Sequence, residues 1–409
     1  MSTGEDQRDP PRLRNGVIRR GDTWSYVIRV TSAGGVSKPR WVGGFATETA
    51  AKAARDTARV AAARGEFVDR SQITVDTYLT QWLAAHAVEV KPKTHEDYRR
   101  MVRTYVCPHI GSVPLQSVRP STLSGLYALL LARGGRDGGA LSVRTVTYVH
   151  AVLRKALNDA VWTDQLLASN PALRAKRPRV DAVRPVVDGV WTAEQLRAFL
   201  DAARAERLHT FLHLAAYIGA RRGELLYLRW QDVHLDDEEA YVFVRGSVSI
   251  VAGKRVEGST KTGRARVVGI DAETVAELRS WRERQNRERR VADGSWKGDD
   301  HVFLTELGSQ LPADGAASAM HRTIDRYNAS SPDDAAPLQR IRLHDLRHTH
   351  ATLLLKAGVP VHVVAARLGH VDPAITLRVY AHVMRDQASG VAGIFADAVR
   401  GGSPNAGWC

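Results

Sequence analysis

Residues 344–370, HDLRHTHATLLLKAGVPVHVVAARLGH, concentrate the side chains of this chain that could carry out chemistry. The segment contains five histidines, with Arg347 near its start and a Gly-His pair at its end, and Tyr380 follows ten residues later. Imidazoles in such number are typical of a metal site, an acid–base site or a site that binds an anion. Each possibility requires different partners elsewhere in the chain.

A metal site is the first possibility. His344 and His348 have the spacing of the His-Glu-x-x-His motif of zinc proteases, with an aspartate at the position of the glutamate. However, Arg347 would place its positive charge within one helical turn of the metal ion. Repulsion between like charges disfavours such a site. A second pair, His209 and His213, lies in an apolar helix and is predicted to have no acidic partner, so helix packing explains it better. We therefore predict no metal ligands.

Two other motifs are excluded. Lys261-Thr262-Gly263 also occurs in penicillin-recognising serine enzymes, but no serine of this chain has the required lysine three residues later. The glycine-rich stretch 132–140 lacks the Gly-Lys-Ser/Thr of a phosphate loop. We interpret it as a flexible connection.

An anion site accounts for more of the remaining residues. Arg347 follows His344 by three residues, so both lie on one face of a helix. Arg221 comes just after the glycine that ends an apolar helix, and Glu224 could hold its guanidinium. Each of these residues, taken singly, is better explained as a surface side chain. Together with Tyr380 they fit a phosphodiester at the moment of attack, because arginines bind its non-bridging oxygens in bidentate fashion.

Two further residues complete that set. Lys261 lies between two glycines of a predicted hairpin, where a long amine can reach into a site, although a solvated turn lysine is the plainer explanation. His370 follows Gly369 at the predicted end of a helix. Attack on a phosphodiester needs a nucleophile, a base and an acid for the leaving group, and the combined set supplies all three.

The bulk properties point towards a polyanionic partner. The chain has 409 residues, which predicts two or three domains, and its net charge of +14 with a pI near 10.0 would attract nucleic acid. A basic enzyme without a polymer partner is the alternative. Two distant cysteines, a polar N-terminus and no apolar run long enough to span a bilayer predict a soluble, cytoplasmic protein with no membrane association.

The first 70 residues divide into a tail and a small module. Residues 1–13 have no apolar period and are expected to be disordered. Residues 14–70 contain two predicted strands, TWSYVIRV and PRWVGGF, followed by an alanine-rich helix with Thr47 as N-cap. Basic and aromatic residues alternate on the strands, which suits a DNA groove or a solvated face equally well. The candidate DNA-binding residues here are Arg19, Arg20, Arg29 and Arg40.

Residues 71–172 are predicted to be entirely helical. Val75, Tyr78, Leu79 and Trp82 recur with helical spacing, and a second helix is predicted to begin at N-cap Thr94. The basic faces of these helices could clamp a duplex through its phosphates, or could only be solvated. The candidate DNA-binding residues here are Lys91, Lys93, Arg99, Arg100 and Arg144.

The rest of the chain is predicted to be a linker, a mixed domain and a tail. Residues 173–189 are rich in proline and charge without a period, as in an extended linker. Residues 190–400 begin with a helix whose N-cap is Thr192, and the stretch from residue 239 to 271 predicts two or three antiparallel strands. Residues 401–409 are expected to be a flexible tail.

Several stretches together closely resemble the tyrosine recombinase (phage integrase) family: IGARRGELLYLRWQDV, STKTGRARVVGID, HDLRHTHATLLLKAG and ARLGHVDPAITLRVYAHV. The order Arg, Lys, His-x-x-Arg, Gly-His, Tyr matches in full, while Ala265 and Gly269 depart from the usual serine and proline. The resemblance implies a multidomain, mainly α protein with small β-sheets. It comprises an arm-type β/α module, an all-α SAM-like core-binding domain and an α+β catalytic domain.

The resemblance also implies a role for each candidate residue. Tyr380 would be the nucleophile, activated by the neighbouring arginines and Lys261, with His344 sharing or removing its proton. Lys261 would protonate the leaving oxygen, and Glu224 would orient Arg221. The non-bridging oxygens would be held by Arg221, Arg347 and His370.

The implied function is site-specific recombination of double-stranded DNA at attachment sites, as in the integrase of a phage or mobile element. It needs no cofactor, uses a homotetramer on DNA, and can involve a host bending factor and a directionality factor. The short helix predicted after Tyr380 could dock in cis or on a neighbouring subunit. The rivals are a type IB topoisomerase-like nicking-closing enzyme and a non-catalytic DNA-binding regulator.

Overall fold

The computed structural model describes residues 16–31, 37–63, 67–135, 137–178, 189–236, 238–330, 336–374, 376, 377, 380 and 399. Contacts divide the chain into two compact units, Met1–Asp181 and Ala182–Cys409. No helix among these residues is long and apolar enough to cross a membrane. The two predicted tails, most of the predicted linker and nearly all of the helix predicted after Tyr380 lie outside the described residues.

The first unit begins with the predicted β/α module. Its three strands form one antiparallel sheet in chain order, and the apolar side chains of the central strand pack against the small residues of a helix. The hydroxyl of Thr47 accepts a hydrogen bond from the Ala50 N–H at 3.2 Å, which confirms the predicted cap. The elements are β1 (Val17–Arg20), β2 (Thr23–Thr31), β3 (Ser37–Phe45) and α1 (Glu48–Ala63).

The remainder of the first unit is helical, as predicted. The apolar positions of the periodic stretches are buried in one core, and the Tyr78 hydroxyl donates to the Ala156 carbonyl at 2.8 Å across it. The helices are α2 (Val75–His86), α3 (Pro92–Met101), a π-helical turn (Val102–Val106), α4 (Cys107–Ile110), α5 (Pro120–Arg133) and α6 (Val143–Trp162).

The predicted start of α3 is wrong. The helix begins at Pro92, and its N-cap is Lys91, three residues before the predicted cap Thr94. Proline has no N–H to lose and a φ already suited to the first helical turn. Its preference therefore outweighs the capping preference of the threonine.

The second unit contains helices around a large apolar core and two small sheets. Thr192 caps its first helix, as predicted, and the structure adds a capping box with Gln195. The helices are α7 (Ala193–Ala203), α8 (His209–Tyr217), α9 (Arg222–Tyr227), α10 (Ala272–Ala292), α11 (Gly315–Ser330), α12 (Asp345–Lys356) and α13 (Val361–Leu368). The strands are β4 (Val233–His234), β5 (Tyr241–Val244), β6 (Gly246–Val251), β7 (Lys254–Ser259) and β8 (Arg266–Gly269).

The strands of the second unit separate into two sheets. β6 and β7 form a hairpin of their own, whereas β5 pairs with β4 on one side and with β8 on the other. The stretch predicted to hold two or three strands therefore holds four. The turn between β7 and β8 carries Lys261, and the register of β8 sets Arg266 opposite Val244.

Candidate active site

The first turn of α12 brings three candidate side chains to one place. His344 is the N-cap of the helix, and Arg347 and His348 follow within its first turn. The buried carboxylate of Asp345 accepts hydrogen bonds from the Arg342 backbone N–H at 2.7 Å and from its Nη2 at 2.8 Å. Burial alone would raise the pKa of Asp345, but these bonds hold it below its ordinary value. The start of the helix is thereby fixed.

Arg221 is held by Glu224, as the sequence predicts. Its Nη1 donates to Glu224 Oε1 at 2.8 Å, and its backbone N–H donates to Oε2 at 3.0 Å. A third donor, Nη2 of Arg266, contacts Oε2 at 2.7 Å. Burial opposes ionisation of Glu224, yet the hydrogen bonds from Arg266 and Arg221 hold its pKa below the ordinary value. One buried carboxylate therefore orders two guanidinium groups.

Arg347 is almost fully buried, at 3% exposure. Its Nη1 donates to the Gly219 carbonyl and its Nη2 to the Leu368 carbonyl, both at 2.6 Å. Burial, together with the positive charge of Arg221, lowers its pKa to about 9. The side chain thus remains a cation at neutral pH and is oriented by the ends of two helices.

The two outer histidines are neutral in this environment. Burial, together with the neighbouring His348 and Arg347, lowers the pKa of His344 to about 4, although the residue as a whole is exposed to solvent. Burial with Arg347 and Arg221 also lowers the pKa of His370 to about 4, and its Nδ1 lies 2.7 Å from Thr376 Oγ1. A neutral imidazole can donate one hydrogen bond without adding a charge.

The hydroxyl of Tyr380 lies 2.7 Å from Nδ1 of His348. The tyrosine is 1% exposed, and burial raises the pKa of its phenol, an effect that the charge of Arg347 opposes without cancelling. The expected stabilisation of a phenolate by arginines is therefore outweighed here. The expected contact with His344 is also replaced by one with His348, one helical turn further along the same face.

Lys261 is the predicted site residue that does not join the others. It lies in the exposed turn between β7 and β8, and no hydrogen bond or ion pair connects it to them in the described part of the chain. Around Glu224 and Tyr380 lies what we call the Arg–His cluster, which comprises four of the other candidates and two further residues. Its members alter one another's pKa values or bond to Glu224 or Tyr380: Arg221, Arg266, Arg347, His344, His348 and His370.

Two members of the cluster were not identified from the sequence as site residues. His348 entered only as a possible metal ligand, although its spacing from His344 shows that both share one helix face. Arg266 was included only as part of a stretch that resembles the family. The alternation in Arg264-Ala265-Arg266 is the only sequence signal that could have identified it as a site residue.

The predicted absence of an acidic partner for the pair His209 and His213 is wrong. Nδ1 of His209 lies 3.1 Å from Glu277 Oε2, and Nε2 of His213 lies 3.0 Å from Thr274 Oγ1. Both partners belong to α10, so distance along the chain concealed them. Within the described ranges, no three His, Cys, Asp or Glu side chains are grouped to hold a metal ion.

The candidate DNA-binding residues are mostly exposed, and several have acidic neighbours. Lys93 pairs with Asp97 at 3.1 Å, and Arg40 pairs with Asp69 at 3.3 Å. Such exposed pairs contribute little stability, so a phosphate can replace the carboxylate. The exposed members include Arg19, Arg20, Arg29, Arg40, Lys91, Lys93, Arg100 and Arg144, while Arg99 is half-buried and pairs with Glu96.

Comparisons with known proteins identify the family of the chain. A profile described as the phage integrase family matches residues 190–387, and one described as the phage integrase N-terminal SAM-like domain matches residues 74–128. The chain belongs to the phage integrase family of tyrosine recombinases. It is accordingly a tyrosine-type site-specific recombinase, and its mainly helical fold with small sheets is the predicted one.

Relatives of this integrase-family chain include a tyrosine recombinase XerC-like protein of Caldanaerobacter subterraneus subsp. tengcongensis. It is 26% identical over 336 residues, which span 78% of this chain and 82% of that protein. The integrase of Streptomyces ambofaciens is 26% identical over 323 residues, 76% of this chain and 77% of that one.

Solved structures share the fold. The Tn1549 transposon integrase in complex with a circular intermediate DNA has a TM-score of 0.63 at 20% identity, covering 78% of this chain and 99% of that one. A lambda integrase tetramer bound to a Holliday junction has a TM-score of 0.53 at 15% identity, covering 91% and 96%.

Proposed function

We propose that this recombinase cleaves and rejoins DNA strands through a covalent bond between Tyr380 and a 3′-phosphate, and that it integrates a phage or other mobile element into host DNA. The observation that carries the proposal is the Tyr380 hydroxyl, hydrogen-bonded to His348 at 2.7 Å beside the buried cation of Arg347. A phenol next to a base and a guanidinium is suited to attack a phosphodiester.

In the cleavage step the oxygen of Tyr380 attacks the scissile phosphorus, and His348 accepts the phenolic proton. Burial lowers the pKa of His348 below its ordinary value, so its imidazole is neutral and able to act as a base at pH 7. The bond from phosphorus to the 5′-oxygen breaks. Lys261 donates a proton to that oxygen, leaving a 3′-phosphotyrosine and a free 5′-hydroxyl.

The negative charge that develops on the non-bridging oxygens is met by the rest of the cluster. Arg221 and Arg347 are cations whose orientation is already fixed by Glu224 and by backbone carbonyls. The neutral rings of His344 and His370 add hydrogen-bond donors without further charge repulsion. Removal of one such donor costs on the order of 10²- to 10³-fold in rate.

The energy of the broken phosphodiester bond is conserved in the phosphotyrosine bond. One phosphodiester is exchanged for a phosphotyrosine, which the 5′-hydroxyl of a partner duplex can attack in the reverse reaction. Neither ATP hydrolysis nor a metal-bound nucleophile enters these steps, so the proposal includes no cofactor.

Exchange between two duplexes requires four cleavages, so we propose that four copies assemble on the DNA. The substrates are two attachment sites, and a host bending factor and a directionality factor are further candidate partners. Because the target is chromosomal DNA of a host cell, we propose that the protein acts in the cytoplasm.

A nicked suicide substrate tests the nucleophile. Wild-type protein should form a covalent protein–DNA adduct, and Tyr380→Phe should form none while binding the same DNA with unchanged affinity. Tyr217→Phe is the matched control, since that hydroxyl contacts Glu273 instead of the cluster, and it should retain the adduct. An adduct with Tyr380→Phe would contradict the assignment.

Two further assays separate the alternatives. A topoisomerase-like enzyme would relax supercoiled DNA without joining two marked duplexes, whereas a recombinase joins them. A DNA-binding regulator would give no adduct from the wild-type protein. Loss of cleavage in EDTA would contradict the metal-free mechanism.

A further inference from the structure

Arg266 is a buried member of the Arg–His cluster to which the mechanism assigns no task. Its side chain is 9% exposed. Nε donates to the Arg367 carbonyl at 2.8 Å, and Nη2 donates to Glu224 at 2.7 Å. Nη1 is buried with no hydrogen-bond partner among the described residues, and a Cβ built on Gly369 would lie 2.8 Å from it.

The burial of this guanidinium is costly for a residue that only fills space. Taking a charge out of water is unfavourable, and apolar packing of similar volume is often as stable. Two nitrogens of Arg266 instead bond two separate parts of the site, the carboxylate that holds Arg221 and the end of α13. The third nitrogen, Nη1, lies beside Gly369, where only a residue without a side chain leaves room for it.

Arg266 is also the first residue after the turn that carries Lys261. Within that turn, the buried hydroxyl of Thr260 donates to the Arg264 carbonyl at 2.8 Å, and the Gly263 N–H donates to the Thr260 carbonyl at 3.0 Å. The turn is therefore closed on itself by its own hydrogen bonds. Its position relative to the cluster depends on β7 at one end and on Arg266 at the other.

We propose that Arg266 is a positioning residue that anchors the Lys261 turn to the carboxylate orienting Arg221. The leaving-group acid and a phosphate-binding arginine are then held in a fixed relation, although Lys261 itself lies in an exposed turn. Arg266 touches no reacting atom in this scheme, and acts through Glu224 and the end of α13. The inference rests on the proposed role of Lys261.

Single-turnover cleavage of two suicide substrates tests this anchor. One substrate has the natural 5′-oxygen at the scissile bond, and the other has sulfur there. A thiol has a pKa near 8.5, so a thiolate leaves without a proton donor, whereas an alkoxide does not. Arg266→Ala should therefore cleave the oxygen substrate about 10²-fold more slowly, and the sulfur substrate less than about tenfold more slowly.

The ratio of the two rates is measured on one protein preparation, so the fraction of correctly folded protein cancels. Lys261→Ala provides the reference ratio for complete loss of the acid. Arg266→Lys keeps the charge but cannot span both acceptors, and should give an intermediate ratio. Arg264→Ala, an exposed neighbour in the same turn, should match the wild type on both substrates.

Equal losses on the oxygen and sulfur substrates would overturn the proposal, because Arg266 would then act without Lys261. The proposal would also be overturned if Arg266→Ala cleaved the oxygen substrate at the wild-type rate. Failure of the wild-type protein to form an adduct with either substrate would instead refute the proposed function, so the two failures are distinguishable.

Discussion

A phenol that attacks at neutral pH needs a neighbour to take its proton, and His348 is the side chain in contact with Tyr380. We predict that His348→Gln, which keeps a polar side chain of similar reach but removes the base, slows cleavage about 10²- to 10⁴-fold. Binding of the same DNA should not change. The measurement is single-turnover adduct formation at saturating protein, and a rate within threefold of wild type would exclude His348 as the base.

The pH profile gives a second signature of the same residue. Because burial lowers the pKa of His348 from its ordinary 6.5, the imidazole is protonated, and unable to act as a base, only at lower pH. The cleavage rate should therefore rise with pH through a pKa below 6.5 and level off above that pKa. In His348→Gln this acid limb should disappear.

For single residues, the sequence predicted which residue types form the site better than it predicted the contacts between them. Spacing and resemblance predicted Arg221 with Glu224, and the structure contains that pair. Which of His344 and His348 meets the tyrosine could not be predicted, since residues four apart lie on the same face of a helix. The contacts of Arg266 could not be predicted for another reason: they join it to residues 42 and 101 positions away in the sequence.

Helix α12 depends on its first turn for the geometry of the site. Asp345 accepts the backbone N–H and two side-chain donors of Arg342. We predict that Asp345→Asn lowers the free energy of unfolding by about 1 to 2 kcal/mol, as loss of a buried charge-assisted hydrogen bond does. Urea denaturation measures this loss. The matched control is Asp325→Asn, an exposed pair with Arg340, which should change the value by less than about 0.5 kcal/mol.

The Asp345 contribution has a defined pH dependence. Its folded-state pKa is held below the ordinary value, so the stabilisation is present above pH 3.8 and is lost as pH falls further through the folded pKa. Stability of the wild type and of Asp345→Asn should therefore converge in acid. A constant difference down to pH 2 would contradict the role of the ionised carboxylate.

The end of α13 requires a glycine for two separate reasons. Gly369 has a left-handed backbone with φ of 70°, and a Cβ there would lie 2.8 Å from Arg266 Nη1. We predict that Gly369→Ala costs about 1 kcal/mol through the backbone and, by displacing Arg266, slows cleavage of the oxygen substrate. Gly253→Ala is the control, because its φ is 77° with open space around it. It should lose similar stability and keep full activity.

Elements were predicted well where local preferences agree with one another. Thr47 and Thr192 cap the helices expected of them, because a threonine before an amphipathic run has no competing signal. Thr94 was overridden by Pro92, two residues earlier. The strands near Lys261 were undercounted because short strands interrupted by glycines differ from turns only through their partners, which lie elsewhere in the chain.

For the whole molecule, composition and charge were the informative features. Helical periodicity distinguished residues 71–172 from the alternating segment before them, and the structure contains both architectures in its first unit. The predicted domain boundaries at 70, 172 and 190 stay predictions. Periodicity indicates which face of a helix or strand is buried. It contains no information on where one domain ends and the next begins.

The net charge of +14 leads to the last prediction, which concerns DNA binding by the whole chain. We predict that replacing Arg19, Arg20, Arg29 and Arg40 by glutamine reduces the salt dependence of binding. Each lost phosphate contact should lower the slope of log K against log salt concentration by about 0.9.

The measurement is DNA affinity at several salt concentrations, with cleavage of a short suicide substrate followed in parallel. Cleavage should continue, because these arginines lie in the first unit and the Arg–His cluster lies in the second. Glutamines at Arg322 and Arg326 provide the control, since both arginines lie in the second unit, pair with Glu206 and are not candidate DNA-binding residues. An unchanged slope in the first variant would show that the basic strand residues are solvated and do not bind phosphate.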